Sequence, residues 1–578
     1  MIPRERLWIP VVLGSLGVLI TGLISNVYLG DEIYHYRFAK DIFTAGKRVT
    51  FDPLYGENFT SQTYYLIPPL WHILLAFLWK ITGGISHYVA QIYQAFFYAF
   101  LLFLTHRVGR EIYGEDEGFH SVILVGTVPM VASFGILLYL DLPLATLTFL
   151  TFLLILKERF FLGGLGFGLM YFTKFNGLLF GLPFLLLILF RNDGKRSLIK
   201  VLSFSLAAFL IIAPDIYWRE KHPYGETRLG TMQGILSTIV LPKKVVTSIK
   251  RIFTNEPSEG SKFSRQERLS IVLEGMRGVK SVNEVCREYG ISQTQYYHWQ
   301  KIFLESDDVA LASDYSKGEV PTGASKTVIR KLPRKKTTFY RATFLSLRDH
   351  IKYFGLVLLG LLVFYVIRRR FERRDLLLWV PVLLYLLGLA YFIYFGKLDA
   401  DMRHLLPVVP FLCVVASKIS VVWKNKKFLI GCLLLCSIQF LGVLAFVLVE
   451  RRITPEMREG MKYIKGNLPE NAIILYPEYN LTEYTDRRIA WTTNFWNLRK
   501  VLWGPDEFIK DSLIRHKVHY ILVKKTRIYD DTEVSHLGGY PISFVNRLPK
   551  LGYLELTFEN ETLALWRLKD EEISKAGK

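Results

Sequence analysis

Long apolar runs recur along most of this 578-residue chain, and hydrophobic residues make up 51% of it. An α-helix of about 20 apolar residues crosses the roughly 30 Å hydrocarbon core of a bilayer. Runs long enough to cross it, allowing for tilt and helix breaks, lie near 8–29, 88–108, 119–139, 142–157, 161–174, 176–190, 198–218, 352–368, 376–395, 404–422 and 427–449. The pattern predicts a polytopic α-helical membrane protein with about eleven crossings and excludes a single soluble core.

Segment 68–81 is apolar but short, and it decides the predicted orientation of the chain. Cytoplasmic loops carry an excess of Lys and Arg. If this segment lies along the outer surface as a juxtamembrane helix, the basic clusters between later runs fall on the same side as Arg4 and Arg6. If it spans, those clusters move to the other side. We therefore predict a juxtamembrane helix and a cytoplasmic N-terminus.

This topology divides the chain into four regions. They are a first membrane part at 1–218 with an outer loop at 30–87, an extracytoplasmic loop at 219–351, a second membrane part at 352–450, and an extracytoplasmic tail at 451–578. The tail shows a helical pattern and strand-like runs, near 454–466, 472–476, 518–524, 553–558 and 563–567. These patterns predict a C-terminal α/β domain.

The formal charge of +21 is explained by the same topology. Much of it comes from short Lys/Arg clusters between apolar runs, as positive cytoplasmic loops require. The four cysteines indicate no disulfide framework, because three lie in apolar segments and Cys286 lies apart from them. Charge alone therefore does not predict a nucleic-acid partner.

Residues 264–305 form a soluble, helix-patterned insert within the loop 219–351, with Gly290 at a turn position. The insert is similar to the N-terminal helix-turn-helix domain of insertion-sequence transposases, which implies a small all-α unit whose second helix, 292–303, enters a major groove. The predicted topology places the insert at the extracytoplasmic face, where it cannot meet chromosomal DNA. We therefore favour a passenger segment and regard nucleic acid as an unlikely partner.

Two acidic sites are predicted at the extracytoplasmic face of the membrane. Asp31 and Glu32 follow the first crossing, and Asp141 follows the third. An acid singly placed at a helix end is most often a solvated boundary charge, but acids from two loops on one face can converge. A carboxylate partly withdrawn from water beside another acid is expected to have a raised pKa, which suits a general base.

Positive groups are predicted at the same face, where Lys174 and Arg403-His404 end or begin apolar runs. Such cations hold phosphate at a membrane rim, Arg as a two-pronged donor and Lys as a point charge, although each one alone is also explained by snorkelling. His35, His72 and His404 have no metal-ligand spacing, so we predict no catalytic metal.

Together these motifs resemble the GT-C membrane glycosyltransferases, specifically the protein O-mannosyltransferase and lipid A aminoarabinose transferase superfamily (glycosyltransferase family 39-like). The matching features occur in the family's order: Asp31-Glu32, Pro68-Pro69-Leu70, Asp141 before Leu142-Pro143, Thr173-Lys174, and Arg403-His404-Leu405-Leu406-Pro407. They are spread over 1–218 and 350–450. The resemblance implies a GT-C fold, to which the predicted C-terminal α/β domain and the helix-turn-helix insert are added.

The resemblance also implies an activity. A polyprenyl-phosphate-linked sugar would be the donor, no nucleotide or other cofactor would be needed, and a protein, lipid or glycan acceptor would be glycosylated with inversion. Asp31 would be the general base, with Glu32 and Asp141 completing the catalytic set. Substrate binding is assigned to Lys174, Arg403, His404, Tyr34, Pro69 and His72. Three alternatives stay open: a transporter, a membrane-tethered DNA-binding regulator, and a glycosyltransferase inactivated by the insert.

Overall fold

A computed structural model describes residues 8–25, 31–46, 68–190, 195–221, 282–291, 354–368, 371–394, 402–419, 426–476, 480–490, 506–515, 517–529 and 540–569, with the single positions 271 and 296. The chain divides into two compact units. One comprises Met1–Leu236 with Thr337–Lys578, and the other is Ser237–Lys336. The larger unit holds all of the predicted site residues.

The membrane domain of the larger unit is built from helices. In chain order they are Trp8–Ile24 (α1), Glu32–Ala45 (α2), Leu70–Ile81 (α3), His87–Ile112 (α4), Glu115–Thr127 (α5), Pro129–Ile136 (α6), Asp141–Leu156 (α7), Phe160–Thr173 (α8), Gly181–Phe190 (α9) and Lys195–Lys221 (α10). The smaller unit contributes Val282–Glu288 (α11), and the membrane domain resumes with Leu356–Arg368 (α12), Leu376–Tyr394 (α13), Val409–Ser417 (α14) and Lys426–Glu450 (α15).

Four described helices are long and apolar enough to cross a membrane: His87–Ile112, Ser197–Tyr217, Arg373–Tyr391 and Ile430–Glu450. The pair α5 and α6, bent by 64°, makes a fifth if it is one broken span. Seven further apolar helices are shorter, and one of them is α3. With α3 set aside, these helices correspond to the eleven apolar runs. The protein is a polytopic helical membrane protein, and the number of crossings stays a prediction.

Helix α2 is amphipathic, with one face buried against its neighbours. Its sequence EIYHYRFAKDIFTA buries residues spaced three and four apart, namely Glu32, Ile33, His35, Tyr36, Phe38, Ala39 and Ile42. Gly46 ends the helix with φ of 64°, a left-handed conformation that glycine adopts without strain. α2 packs on α3, which in turn buries Trp71, Leu75 and Trp79.

Small residues bring α8 and α10 into close contact. A side chain on Gly164 would meet the Phe204 carbonyl oxygen at 2.1 Å, and one on Gly168 would meet Ile211 at 2.6 Å. Glycines allow such close backbone approach between membrane helices, where dispersion forces replace the hydrophobic effect. This packing fixes the C-terminal end of α8, which leads directly into Lys174.

The C-terminal region of the larger unit combines helices and strands. Its helices are Pro455–Asn467 (α16), Asn480–Thr485 (α17), Asp506–Arg515 (α18) and Ile542–Arg547 (α19), and its strands are Ile473–Leu475 (β1), Arg488–Ala490 (β2), Tyr520–Lys524 (β3), Ile528–Tyr529 (β4), Tyr540–Pro541 (β5), Leu554–Glu559 (β6) and Leu563–Leu568 (β7). The predicted helix and four strand-like runs correspond closely to α16, β1, β3, β6 and β7.

The main sheet of this domain has the order β2-β1-β3-β7-β6. β1 pairs in parallel with β2 and β3, whereas β7 is antiparallel to β3 and β6. Alternate residues of the central strands enter two apolar clusters, one with α16 and one with α18 and α19. The sheet is therefore covered by helices on both faces.

The described part of the insert consists of α11, the turn after it and the single positions 271 and 296. Gly290 has φ of 63°, and the Ile291 N–H donates to the Cys286 carbonyl at 2.9 Å. This bond gives a carbonyl in the last turn of α11 a hydrogen-bond donor. A turn at Gly290 is thereby confirmed. The predicted second helix, 292–303, lies outside the described residues apart from Tyr296.

A buried charge cluster joins three connections of the membrane domain. The Asp375 carboxylate is fully buried and accepts hydrogen bonds from the hydroxyls of Tyr113 and Tyr365, the latter at 2.6 Å. Lys418 approaches the same carboxylate at 3.0 Å and also pairs with Glu372 at 3.0 Å. The cluster ties the ends of α4, α12 and α14 to the start of α13.

We expect Asp375→Ala to lower the free energy of unfolding by roughly 3 kcal/mol or more, because it removes the buried carboxylate that accepts from two hydroxyls and leaves the nearly buried Lys418 ammonium with the exposed Glu372 as its remaining ion-pair partner in the cluster. Glu372→Gln is the matched control. Its carboxylate is 57% exposed and pairs with the same Lys418, so its loss is expected to cost under about 1 kcal/mol. Denaturation of the solubilised protein measures both, and equal costs contradict the prediction.

Candidate active site

Asp31 lies where α2 begins and is held by two other parts of the chain. Its side chain is 40% exposed, and its Oδ2 is 2.6 Å from Nη1 of Arg403. Its backbone N–H donates to the Tyr139 hydroxyl at 3.0 Å. The Arg403 guanidinium also lies over the Tyr139 ring, 5.6 Å from its centroid. Asp31, Tyr139 and Arg403 therefore form one contact group.

Asp141 and Lys174 form a second ion pair. Asp141 is the first residue of α7 and is 2% exposed, and its Oδ1 is 2.6 Å from Nζ of Lys174, which follows α8 and is 19% exposed. Both partners come from helix ends, so the position of each follows from the packing of α7 against α8. The Lys174 side chain is therefore the more exposed partner of the pair.

Arg403 and His404 begin a 3-10 segment, Met402–Val408, that precedes α14. His404 is buried, and its Nδ1 is 3.0 Å from Nδ2 of Asn176. Its carbonyl oxygen accepts a hydrogen bond from the Tyr385 hydroxyl at 2.7 Å. These bonds fix the segment and present the Arg403 guanidinium towards Asp31.

The two ion pairs surround His35 on α2. Asp31, Lys174, Arg403 and Asp141 all act on it electrostatically. Burial, the largest effect, lowers the pKa of His35 to about 4, so the imidazole is neutral at neutral pH. Its Nδ1 is 3.1 Å from Nε2 of His72. The structure thus brings two of the predicted acids, Asp31 and Asp141, and both predicted cations within electrostatic range of one buried imidazole.

The predicted rise in the pKa of Asp31 is wrong. Burial does raise it, but the charge of Arg403 and its hydrogen bond, with smaller effects from His35 and Lys174, hold the pKa of the carboxyl below its usual value. The sequence argument weighed burial and a neighbouring acid and omitted a cation in direct contact. Asp31 is therefore ionised at neutral pH.

Four other predicted residues lie in α2 or at the start of α3. His72 is fully buried against His35 and Phe38, and Pro69 is buried at the start of α3. Tyr34 is half-buried beside Phe38. Glu32 is fully buried and pairs with Arg451. The assignment of these four residues to substrate or catalysis stays a prediction.

Sequence reasoning missed Gln94, a buried residue of α4. Its Nε2 approaches the carbonyl oxygens of Phe134, Leu137 and Tyr139, at 2.8, 2.8 and 3.1 Å, and its Oε1 accepts from the Trp71 indole at 3.2 Å. Gln94 thereby holds the loop that carries Tyr139 to the start of α7. A polar amide inside an apolar run was the signal that could have identified it.

A cavity of about 660 Å³ opens beside Arg403. Apart from Arg403, Tyr139, Ser133 and Gln439 its walls are apolar, and they are supplied by α6, α12 and α15. Leu435, Ile438, Val443 and Phe446 line the α15 side. Arg403 is thus shared between the cavity and Asp31. Within the described ranges, no group of three or more His, Cys, Asp or Glu residues is placed to hold a metal ion.

Comparison with solved structures gives the fold. ArnT from Cupriavidus metallidurans, bound to undecaprenyl phosphate, matches with a TM-score of 0.51 at 10% identity, covering 98% of each chain. The chain has the GT-C fold. The oligosaccharyltransferase of Archaeoglobus fulgidus matches with a TM-score of 0.54 at 12% identity over 89% of this chain and 67% of that one. AglB of the same organism, in complex with an inhibitory peptide and a dolichol-phosphate, matches with 0.53 at 11% identity over 90% and 69%.

Two family models match parts of the sequence. Residues 67–218 match dolichyl-phosphate-mannose-protein mannosyltransferase, and residues 259–326 match a transposase family. No curated protein matches the sequence significantly. The resemblance of the chain to membrane glycosyltransferases, and of its insert to transposases, is confirmed.

Proposed function

We propose that the protein is an integral-membrane glycosyltransferase that moves a sugar from a polyprenyl-phosphate donor to an acceptor hydroxyl at the extracytoplasmic face. The observation that carries the proposal is the position of Arg403, which contacts Asp31 on one side and lines an apolar cavity on the other. A lipid phosphate needs a cation beside a long apolar surface, and its reaction needs a base beside that cation. All three are present together.

The donor would bind with the start of its polyprenyl chain in the 660 Å³ cavity and its phosphate at Arg403. A cavity of this size suits the lipid segment nearest the phosphate, because ligand cavities of about 300–1,000 Å³ enclose molecules of drug size. Lys174, which is partly exposed and acts electrostatically on Asp31, would contact the phosphate or the sugar. The ArnT structure contains undecaprenyl phosphate, which supports a lipid of this class.

In the proposed reaction Asp31 takes the proton from the acceptor hydroxyl. The acceptor oxygen forms a bond to the anomeric carbon while the bond from that carbon to the phosphate oxygen breaks, on the opposite face, so the configuration inverts. Charge grows on the departing phosphate, where Arg403 and Lys174 are placed to stabilise it. Asp31 suits the base because it is ionised and 40% exposed, whereas Glu32 is enclosed.

The test is transfer by the purified full-length protein in lipid nanodiscs. A panel of polyprenyl-phosphate sugars is offered with peptide, lipid and glycan acceptors, and nucleotide sugars serve as the matched control. We expect transfer from at least one lipid-linked donor and none from nucleotide sugars. Transfer from nucleotide sugars alone, or from no donor, overturns the proposal.

A DNA-binding role is the second candidate, because residues 259–326 match a transposase family and Gly290 forms the expected turn. It requires the insert to be cytoplasmic, whereas the distribution of Lys and Arg predicts that 219–351 is extracytoplasmic. Reporter fusions within this loop and after residue 569 distinguish the two. A cytoplasmic signal at both fusion points favours DNA binding and reverses the proposed orientation.

A further inference from the structure

Arg451 is a fully enclosed arginine at the junction between the membrane domain and the C-terminal domain. It directly follows α15, and its side chain is 0% exposed. Its Nη1 donates to the Ser25 hydroxyl at 2.7 Å, and its Nη2 donates to the Ile136 carbonyl at 3.2 Å and to the Glu32 carboxylate. One guanidinium therefore joins three separate elements.

The partners of Arg451 all lie next to the candidate site. Ser25 follows α1, Glu32 is the first residue of α2 and adjoins Asp31, and Ile136 ends α6. Glu32 also accepts a hydrogen bond from the Leu138 N–H at 2.8 Å, one residue before Tyr139. The ion pair thus sets the positions of the two segments that bring Asp31 and Tyr139 into contact.

The burial of Glu32 determines what it can do. Both charges of the pair are 0% exposed, so the carboxylate has no open path to an acceptor molecule. A buried ion pair with additional hydrogen bonds adds little net stability, but removing one partner strands the other charge. Such a pair acts by specifying one arrangement of the segments that it joins.

The C-terminal domain contacts α2 at a second place. Helix α17 packs on α2, and Tyr484 of α17 packs against the membrane core. The pKa of Asp486, just after α17, is held below its usual value first by the hydrogen bond with Lys465 and also by the positive charges of Lys40 and Arg37 on α2. Helix α2, which follows Asp31, is therefore held by the C-terminal domain both at its first residue and farther along its length.

We propose that Arg451 and Glu32 are positioning residues, which hold the start of α2 so that Asp31 faces Arg403 and Tyr139. The inference rests on the proposed function, since it assigns Asp31 a role that needs positioning. It moves Glu32 out of the predicted catalytic set and makes the C-terminal domain part of the catalytic unit.

The test is a double-mutant cycle in the full-length protein with Glu32→Gln, Arg451→Met and the double variant. The amide introduced by Glu32→Gln can still accept from Arg451 and Leu138, so we expect kcat to fall less than tenfold. Arg451→Met strands the carboxylate and displaces α2, and we expect a loss of roughly 100-fold, the scale of a misplacement by about 1 Å. The double variant should recover about tenfold over Arg451→Met, with KM for donor and acceptor unchanged.

A double variant no more active than Arg451→Met, or a raised acceptor KM in Glu32→Gln, overturns the inference in favour of substrate contact. Arg451→Lys covers the case in which Arg451→Met does not fold. It keeps the charge but reaches fewer partners, and we expect it to fold with kcat about tenfold lower. Glu559→Gln, at an exposed ion pair with Lys525 in the same domain, is the control and should match the wild type.

A readout independent of activity separates this inference from the proposed function. The rate at which a water-soluble carbodiimide labels Asp31 reports its exposure, which is 40% in the intact site. We expect Arg451→Met, or Arg451→Lys, to change this rate and the double variant to return it towards the wild-type value. Absence of transfer with this labelling pattern overturns only the proposed function. Unchanged labelling in every folded variant overturns the positioning role.

Discussion

Asp31→Asn is expected to abolish most transfer, with a fall in kcat on the order of 10³-fold, because the amide cannot take the proton of the acceptor hydroxyl. The structure indicates that this substitution lowers kcat without disturbing donor binding or folding. The introduced amide can still accept a hydrogen bond from Arg403, and the backbone N–H of this position can still donate to Tyr139, so donor binding and folding should change little. Initial rates with the lipid-linked donor, together with a melting curve, measure the two effects separately.

Asp116→Asn is the matched control, because Asp116 is also an acid in the first turn of a helix but is exposed at the start of α5. Its rate should equal that of the wild type. Asp31→Glu should fall between the two, since the carboxylate is kept but displaced by one methylene. Full activity in a well-folded Asp31→Asn variant excludes Asp31 as the base.

Arg403→Gln carries the second largest expected effect, a fall in kcat on the order of 10²-fold. The substitution removes the charge that the departing phosphate would meet and leaves the apolar cavity walls intact. Arg403→Lys should recover part of the loss, since a point charge replaces only some of the two-pronged contact. Binding of polyprenyl phosphate, followed by protein fluorescence, should weaken in the same order.

The same variant should change the pH dependence of transfer. In the wild type, burial raises the pKa of Asp31, but the charge and hydrogen bond of Arg403, together with smaller effects from His35 and Lys174, hold the pKa below its usual value. Without Arg403 the effect of burial remains and the pKa rises. A protonated Asp31 cannot act as a base, so the acid limb of the rate profile should move to higher pH in Arg403→Gln.

Arg107→Gln is the control for Arg403→Gln. Arg107 also lies over an aromatic ring, 6.0 Å from the centroid of Phe103, but thirteen residues along α4 from Gln94, or roughly 20 Å at the rise of an α-helix. Its pH profile and donor binding should be those of the wild type. An acid limb that stays in place in Arg403→Gln shows that Arg403 does not set the pKa of Asp31.

Much of the fold could be predicted from the sequence, because hydropathy and strand patterns are local. The apolar runs correspond to described helices, and the patterns at 472–476 and 518–524 correspond to β1 and β3. The acids and cations of the site could be named for the same reason, since each stands at the end of an apolar run. Chain order then supplied the resemblance to GT-C enzymes.

The pairing of charges could not be predicted, because it depends on packing between distant segments. Arg403 and Asp31 are 372 positions apart, and Arg451 and Glu32 are 419 apart. Successive residues of a helix also point about 100° apart, so the neighbours Asp31 and Glu32 enter different surroundings. An arginine such as Arg451 just past an apolar run has the sequence signature of an ordinary boundary charge.

The two ion pairs of the site also bear on product release. A phosphodiester donor carries one negative charge, whereas the phosphomonoester left behind carries about −1.5 to −2 at neutral pH. Arg403 and Lys174 therefore attract the spent lipid more strongly than the donor. Asp31 and Asp141 compete with it for the same two cations at 2.6 Å. In the proposed cycle these two carboxylates displace the spent lipid from the cations. Asp31 would therefore act both in the transfer step and in product release.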